Sequence, residues 1–248
     1  MARIFITGSA DGLGLLAARS LVDLGHRVVL HGRDEARGRQ ALEKVPGAES
    51  VLTADLSSID DTRALAEKVN ASGPFDAVIH NAGVYRVPRN SMTIDGLPVL
   101  FAVNSLAPYI LTCLIHPPKR LVYLSSGMHL QGDPESDNKH VSYADTKLHD
   151  VILTMAVARL WPDVYANAVN PGWVPTKMGG AGAPDSLEKG FETQVWLAVS
   201  NDPEARVSGE YFHHKRKARY LPAAKHAGVQ QKFLDLCGKI TGITFGSR

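Results

Sequence analysis

The chain has 248 residues, 44% of them apolar, enough to bury a large core in one domain. Its 27 basic and 25 acidic side chains leave a net charge of +2, a near-balance that gives no footing to nucleic acid or an anionic membrane as partner. The two cysteines, Cys113 and Cys237, stand far apart without partners at metal-ligand spacing, which excludes a disulfide framework and points to a reducing compartment.

The N-terminus enters a strand pattern at once. "RIFIT" (3–7) is not preceded by a basic-then-apolar leader, and no apolar run approaches the length of a membrane span. The expected localisation is cytoplasmic. "TGSADGLG" (7–14) then leads into the helical pattern "GLLAARSLVDLG" (14–25). Gly8, Gly12 and Gly14 remove side chains where backbone must approach a pyrophosphate, with Ser9, Asp11 and Leu13 in the same turn. The helix that follows offers N–H groups and the positive end of its dipole. Three residues separate the first two glycines, unlike the commoner G-x-G-x-x-G form. A plain tight turn is the bland alternative; a strand before and a helix after favour the phosphate cradle.

The second strand, "RVVLH" (27–31), ends at Gly32, where an acid would accept from the adenosine 2′-hydroxyl of NAD. Arg33 follows, and a guanidinium suits a 2′-phosphate. NADP is therefore the expected cofactor, with NAD as the alternative if Asp34 and Glu35 turn inward or Arg33 is a plain surface residue.

Further along come the strands "SVLTAD" (50–55), "DAVIH" (76–80), "RLVYLS" (120–125) and "YANAVN" (165–170), with a seventh near "GEYFH" (209–213). Helical periodicity marks 60–72, 95–114 and 143–161. Near-continuous apolar strands alternating with helices argue for an α/β, doubly wound Rossmann fold, with a mostly parallel sheet of about seven strands and helices on both faces. No linker or repeat interrupts 1–248, so one domain is expected. Loops rich in Gly, Pro, Asp and Ser, near 128–141 and 175–190, should overhang the carboxyl edge of the sheet, where substrate would bind. The basic run "HHKRKARY" (213–220) reads as a solvated segment after a strand rather than a phosphate patch.

Tyr143 and Lys147 lie one helical turn apart at the start of the 143–161 helix. Hydride transfer to a carbonyl leaves an alkoxide that must collect a proton. A phenol near its reference pKa of about 10 can donate, but is a poor base for the reverse step unless a neighbouring ammonium stabilises the phenolate. The pair is thus a candidate general acid/base with its electrostatic support; an unrelated pair on a solvated helix face is the bland alternative.

"TGSADGLG" (7–14), "NAG" (81–83), "FAVNSLAPYILT" (101–112), "LVYLSSGMH" (121–129), "YADTK" (143–147) and "NPGWVPT" (170–176) occur in that order. Together they resemble the compact, single-domain branch of the short-chain dehydrogenase/reductase family, with retinol-dehydrogenase-like and carbonyl-reductase-like members. The resemblance implies an NADP-dependent oxidoreductase acting on a small-molecule carbonyl or alcohol, with Tyr143 as acid/base and Lys147 as its support and a cofactor ribose ligand. It makes Ser126 the second donor to the substrate oxygen, with Ser125 in reserve. Asn104 would hold a water that relays protons to Lys147, or would be a buried, hydrogen-bonded asparagine. Asp55, and Leu56 beside it, would approach the adenine. Asn81, Ala82 and Gly83 would pass the adenosine ribose, although Asn81 could instead brace the sheet. Pro171, Gly172, Val174 and Thr176 would seat the nicotinamide. Sixteen residues separate Ser126 from Tyr143, more than the commonest family spacing, so the 129–140 segment is expected to reshape the substrate mouth. His129 would touch substrate or lie on the surface. The family commonly pairs the helices holding Asn104 and Tyr143, which implies a homodimer or homotetramer. A catalytically inactive cofactor-binding regulator of the same fold is the alternative function.

Overall fold

The computed structural model describes residues 1–88 and 90–246. Short β-branched runs form the strands β1 (Arg3–Ile6), β2 (Arg27–Gly32), β3 (Ser50–Thr53), β4 (Ala77–His80), β5 (Arg120–Leu124), β6 (Tyr165–Asn170), β7 (Glu210–His213) and β8 (Arg216–Lys217). Among the described residues they make one eight-stranded sheet in the order β3-β2-β1-β4-β5-β6-β7-β8, parallel except for the final β7–β8 pair. The chain winds outward from β1 to β3, returns to β4, and winds the other way. That reversal opens a crevice between the carboxyl ends of β1 and β4.

The helices are α1 (Gly12–Asp23), α2 (Glu35–Lys44), α3 (Ile59–Ala71), α4 (Val99–Phe101), α5 (Ala107–Leu114), α6 (Tyr143–Leu160), α7 (Leu187–Val199) and α8 (Ala227–Thr241). Strand residues alternate between two cores, as the pleat requires. Phe5, Val78 and Tyr123 face a core shared with α3, α5, α6 and α8, whereas Ile4, Ile6 and Val122 face one shared with α1 and α7. No helix among the described residues is long and apolar enough to cross a membrane.

The architecture is the expected doubly wound one, with an eighth strand in addition. β8 falls inside the basic run, whose turn places His214 and Lys215 at φ 49° and 60° and leaves Arg216 and Lys217 exposed on the sheet edge. Charged side chains there discourage edge-to-edge pairing. The helices α2, α7 and α8 were not anticipated. In α2 only Gly38 and Ala41 are buried, so almost no apolar stripe exists to read. For α8 the signal was present, since Phe233, Leu234 and Cys237 share its buried face.

The C-terminal helix packs on α6 from within the same chain. Residues Ala144 to Val157 of α6 are all buried. His149 stacks on Phe233 of α8 with ring centroids 4.7 Å apart, and Arg159 Nε donates to Gln230 Oε1 at 2.7 Å. Tyr109 on α5 donates its hydroxyl to Ile243 O at 2.6 Å, and Trp161 Nε1 donates to Gly246 O at 2.7 Å. The apolar faces of α5 and α6 are covered by the same chain.

Candidate active site

The crevice at the sheet reversal is a cavity of about 760 Å³, within the size range of ligand sites. It is lined by Gly8, Asp11, Gly12, Leu13, Arg33 and Arg37 and by Tyr143, Lys147, Val103, Leu124 and Met178. Asp55, Leu56, Asn81, Ala82, Gly83, Pro171 and Thr176 also line it. The structure thus brings most of the expected residues to one space.

The glycine loop is held from below. Gly8, at φ +64°, approaches Ala82 so closely that a Cβ would stand 2.7 Å from its Cα, and a Cβ on Gly14 would meet Asn81 Nδ2 at 2.3 Å. Two backbone donors of the loop are already committed. Gly8 N–H donates to His31 Nδ1 at 2.9 Å, and Gly12 N–H donates to the Asp11 carboxylate at 2.9 Å. Ser9, fully buried, bridges β1 and β2 by donating to Ile6 O and accepting from His31 N. Asp11 caps α1 and also pairs with Lys177 and, at 3.5 Å, with Arg37. The Lys177 hydrogen bond holds its carboxyl below the usual range against partial burial, with Gly12 and Arg37 adding to the effect. Two cations around one carboxylate leave a net positive charge beside the cradle.

Gly32 has a packing reason of its own. A Cβ there would stand 2.7 Å from Gly38 N, so α2 lies too close for any side chain. Glycine at this position therefore says less about cofactor choice than its sequence setting implied. Arg33 keeps the argument: its side chain is 72% exposed, lines the cavity, and sits 3.9 Å from Asp34. The Asp55 carboxylate accepts from Ser57 N and Oγ, which fixes the turn after β3. Both bonds given by Asn81 Nδ2 go to Thr7 O and Gly8 O, so its side-chain donors brace the sheet.

Tyr143 opens α6 through a capping box in which Ser142 and Asp145 bond each other's backbone N–H. Lys147 Nζ lies 5.7 Å from the Tyr143 ring centroid and donates to Leu124 O at 2.7 Å and to Asp150 Oδ2 at 2.8 Å. Burial pushes the phenol above its usual range; Lys147 pulls it down, while Asp150 and Tyr85 push it up. The net direction is upward, opposite to the sequence expectation, because burial outweighs the pull of Lys147, with the Asp150 carboxylate adding to the upward push. Tyr85 packs against Tyr143 with ring centroids 4.5 Å apart.

Of the two serines, Ser125 lines the cavity but donates its proton to Lys147 O at 2.7 Å. Ser126, the expected donor, is not among the residues that line the cavity; it accepts from Met128 N at 3.2 Å, a bond that leaves its own hydroxyl proton unused. The Asn104 side chain is fully buried in a π-helical stretch, Ala102–Leu106, between α4 and α5. It accepts from Val84 N and donates to Val84 O and Thr146 Oγ1. Its side-chain amide is thus fully engaged within the protein.

His129 meets neither expectation. It is fully buried, donates from Nδ1 to Ser126 O at 2.7 Å, and accepts from Leu221 N at 3.3 Å. Burial lowers its pKa, in keeping with a neutral ring that clamps the C-terminal segment to the serine turn. The 129–140 segment is likewise anchored: Asp133 N donates to Asp145 Oδ1, Ser136 bonds His149, and Glu135 pairs with Lys232 on α8. Beyond Pro171, Gly172 turns at φ +84° against Asp185, Val174 is buried, and Thr176 faces the position of a Gly12 Cβ at 3.9 Å. His31 and Arg37 were missed by sequence reasoning, because their roles depend on strands and helices that meet only in the fold; Asp150 was missed although it lies one helical turn from Lys147 on the same helix.

The short chain dehydrogenase family model matches residues 2–186. An uncharacterized oxidoreductase of Emericella nidulans is 46% identical over 250 residues, covering 98% of both chains. Retinol dehydrogenase 14 of Mus musculus is 31% identical over 97% of this chain and 86% of its own. Among solved structures, an uncharacterized protein from Mycobacterium paratuberculosis superposes with a TM-score of 0.83 at 25% identity, over 99% of this chain and 95% of that one. A short chain dehydrogenase from Shigella flexneri complexed with NADP gives a TM-score of 0.68 at 24% identity, over 87% and 97%.

Proposed function

The chain belongs to the short-chain dehydrogenase family, and from that premise we propose that it moves a hydride between NADP(H) and a carbonyl/alcohol pair, with Tyr143 as general acid/base. The observation that carries this reading is the convergence of Tyr143 and Lys147 on the cavity that the glycine loop opens. The cavity's volume, its side-chain-free approach at Gly12 and the cations Arg33 and Arg37 that line it fit a phosphorylated dinucleotide. When bound, the cofactor supplies the hydride in reduction and accepts it in oxidation.

In reduction Tyr143 gives its phenolic proton to the substrate oxygen, and the phenolate left behind is held by the Lys147 ammonium. The carbonyl carbon gains the hydride, the oxygen gains the proton, and solvent restores the phenol. Ser126, with its hydroxyl proton uncommitted, donates to the same oxygen and stabilises its developing charge. A phenol pushed upward by burial is protonated at neutral pH, which suits the reductive direction.

Val84, Val99, Val103, Leu124 and Met178 on the cavity wall favour an apolar carbonyl as substrate. Coverage of α6 by α8 supports a monomer. Cys113 and Cys237 both carry thiols, which supports a reducing, cytoplasmic setting. A panel of apolar ketones and aldehydes, followed by NADPH and NADH absorbance in parallel, tests the reading. Tyr143→Phe is expected to abolish turnover, by at least about a thousandfold, while sparing NADPH binding. Undiminished turnover would remove the assignment.

A further inference from the structure

Lys147 is buried to 4% exposure, and its ammonium is gripped before any substrate arrives. Nζ donates to Leu124 O at the end of β5 and to Asp150 Oδ2 one turn further along α6, at 2.7 and 2.8 Å. The Asp150 side chain is 3% exposed, so the pair lies beyond solvent screening. An ammonium has three donors. Two are fixed on the inner side, which leaves one for the cavity that Tyr143 and Lys147 both line.

We propose that Asp150 is a positioning residue of the acid/base pair: its carboxylate fixes the direction of the Lys147 ammonium and offsets that ammonium's pull on the Tyr143 phenol. This rests on the reading of Tyr143 and Lys147 as acid and support. Without Asp150 the lysine's pull on the phenol would be opposed only by burial and Tyr85. With Asp150 one turn behind, the lysine still holds a phenolate formed during turnover, yet the resting tyrosine keeps its proton.

The other titratable groups facing this set are Tyr85, packed on the Tyr143 ring from the loop after β4, and Tyr123 on β5, whose hydroxyl bonds Thr112. His80 on β4 stacks on Tyr123 at 4.8 Å. Burial holds His80 neutral and pushes the Tyr123 phenol far up, so neither supplies a competing charge near neutral pH. Burial also pushes the Asp150 carboxyl up to about 6, with Lys147 restraining it. The carboxylate is therefore charged at neutral pH and withdraws its influence on acidification.

The test reads the phenol directly. Tyrosine labelled with 13C at Cζ gives resonances whose Tyr143 member is assigned by its loss in Tyr143→Phe, and each is followed against pH. Asp150→Asn is expected to lower the Tyr143 pKa by about one unit, Asp150→Glu to restore it toward wild type, and Lys147→Met to raise it. A wild-type phenol un-ionised to pH ~11 beside an Asp150→Asn phenol that titrates below it gives the same support. A change smaller than about 0.3 unit in Asp150→Asn would overturn the proposal. Asp150→Ser serves as a second neutral variant, with circular dichroism confirming the fold of each. Failure of both neutral variants to fold would reduce Asp150 to a structural role and equally overturn it. The titration needs no substrate, so an expected shift alongside full turnover by Tyr143→Phe would leave the Asp150 assignment standing and remove only the catalytic reading.

Discussion

His31 Nδ1 accepts the Gly8 amide hydrogen at 2.9 Å, while its Nε2 donates to Ala54 O at 3.1 Å. One buried, neutral imidazole thus ties the first turn of the glycine loop to β2 and to the segment after β3. The loop's shape is set by the protein before any phosphate occupies it. Replacing His31 with Phe leaves the Gly8 donor and the Ala54 acceptor unmet, a loss of about 1–3 kcal/mol for each buried group. The expected outcome is a lower melting temperature and roughly tenfold weaker NADPH binding by fluorescence titration. Unchanged affinity would show that the loop holds its shape without this bridge.

Acid should destabilise the fold before it protonates most carboxylates. Burial lowers His31 and His149 to about 4 and His80 to about 3, against 6.5 unfolded. A depressed histidine pKa contributes stability that is fully present above 6.5 and lost as pH falls toward the folded value. Each is worth on the order of 3 kcal/mol across that window. Asp150, raised from 3.8 to about 6, acts in the opposite sense over the same range, but one carboxyl does not cancel three imidazoles. Urea midpoints at pH 7 and pH 4.5 should therefore differ by several kcal/mol in stability. Equal midpoints would contradict the neutral state of these rings.

Cofactor selectivity should respond at position 33 and not at position 32. Arg33→Asp removes the guanidinium and is expected to weaken NADPH by about 10- to 100-fold while sparing NADH, read as the ratio of kcat/KM values. Gly32→Asp, the change the sequence alone suggests for installing NAD preference, should instead disrupt α2, because its Cβ would stand 2.7 Å from Gly38 N. Its signature is a drop in melting temperature with loss of both cofactors. A stable Gly32→Asp protein that prefers NADH would show that α2 can withdraw.

The chain is expected to sediment as a monomer of 26.8 kDa, since α8 occupies a face of α6. Leu234→Asp places a charge against α6 and should cost several kcal/mol through unpaired burial. Analytical ultracentrifugation of the wild type checks the first expectation and thermal unfolding of the variant checks the second.

Much of this was legible in the residue order. The alternation of apolar strands and helices implied the doubly wound sheet, and the strand-glycine-helix context of Gly8, Gly12 and Gly14 placed the crevice. Both signals are local: side-chain periodicity and turn chemistry act over a few residues, so they survive in one dimension. Tyr143 and Lys147 were legible for the same reason, being one helical turn apart. The tertiary structure alone decided which donors remained for chemistry. Gly8 is bound to His31, 23 residues away in sequence, and Gly32 is pressed by Gly38 across a strand-helix packing. Ser125 is committed to Lys147 O and Asn104 to Val84 and Thr146. The direction of the Tyr143 shift was likewise beyond the sequence, because the burial that outweighs the pull of Lys147 is set by the fold. Hydrogen-bond commitment and desolvation depend on what folding brings to within a few ångströms, and no local pattern encodes that distance.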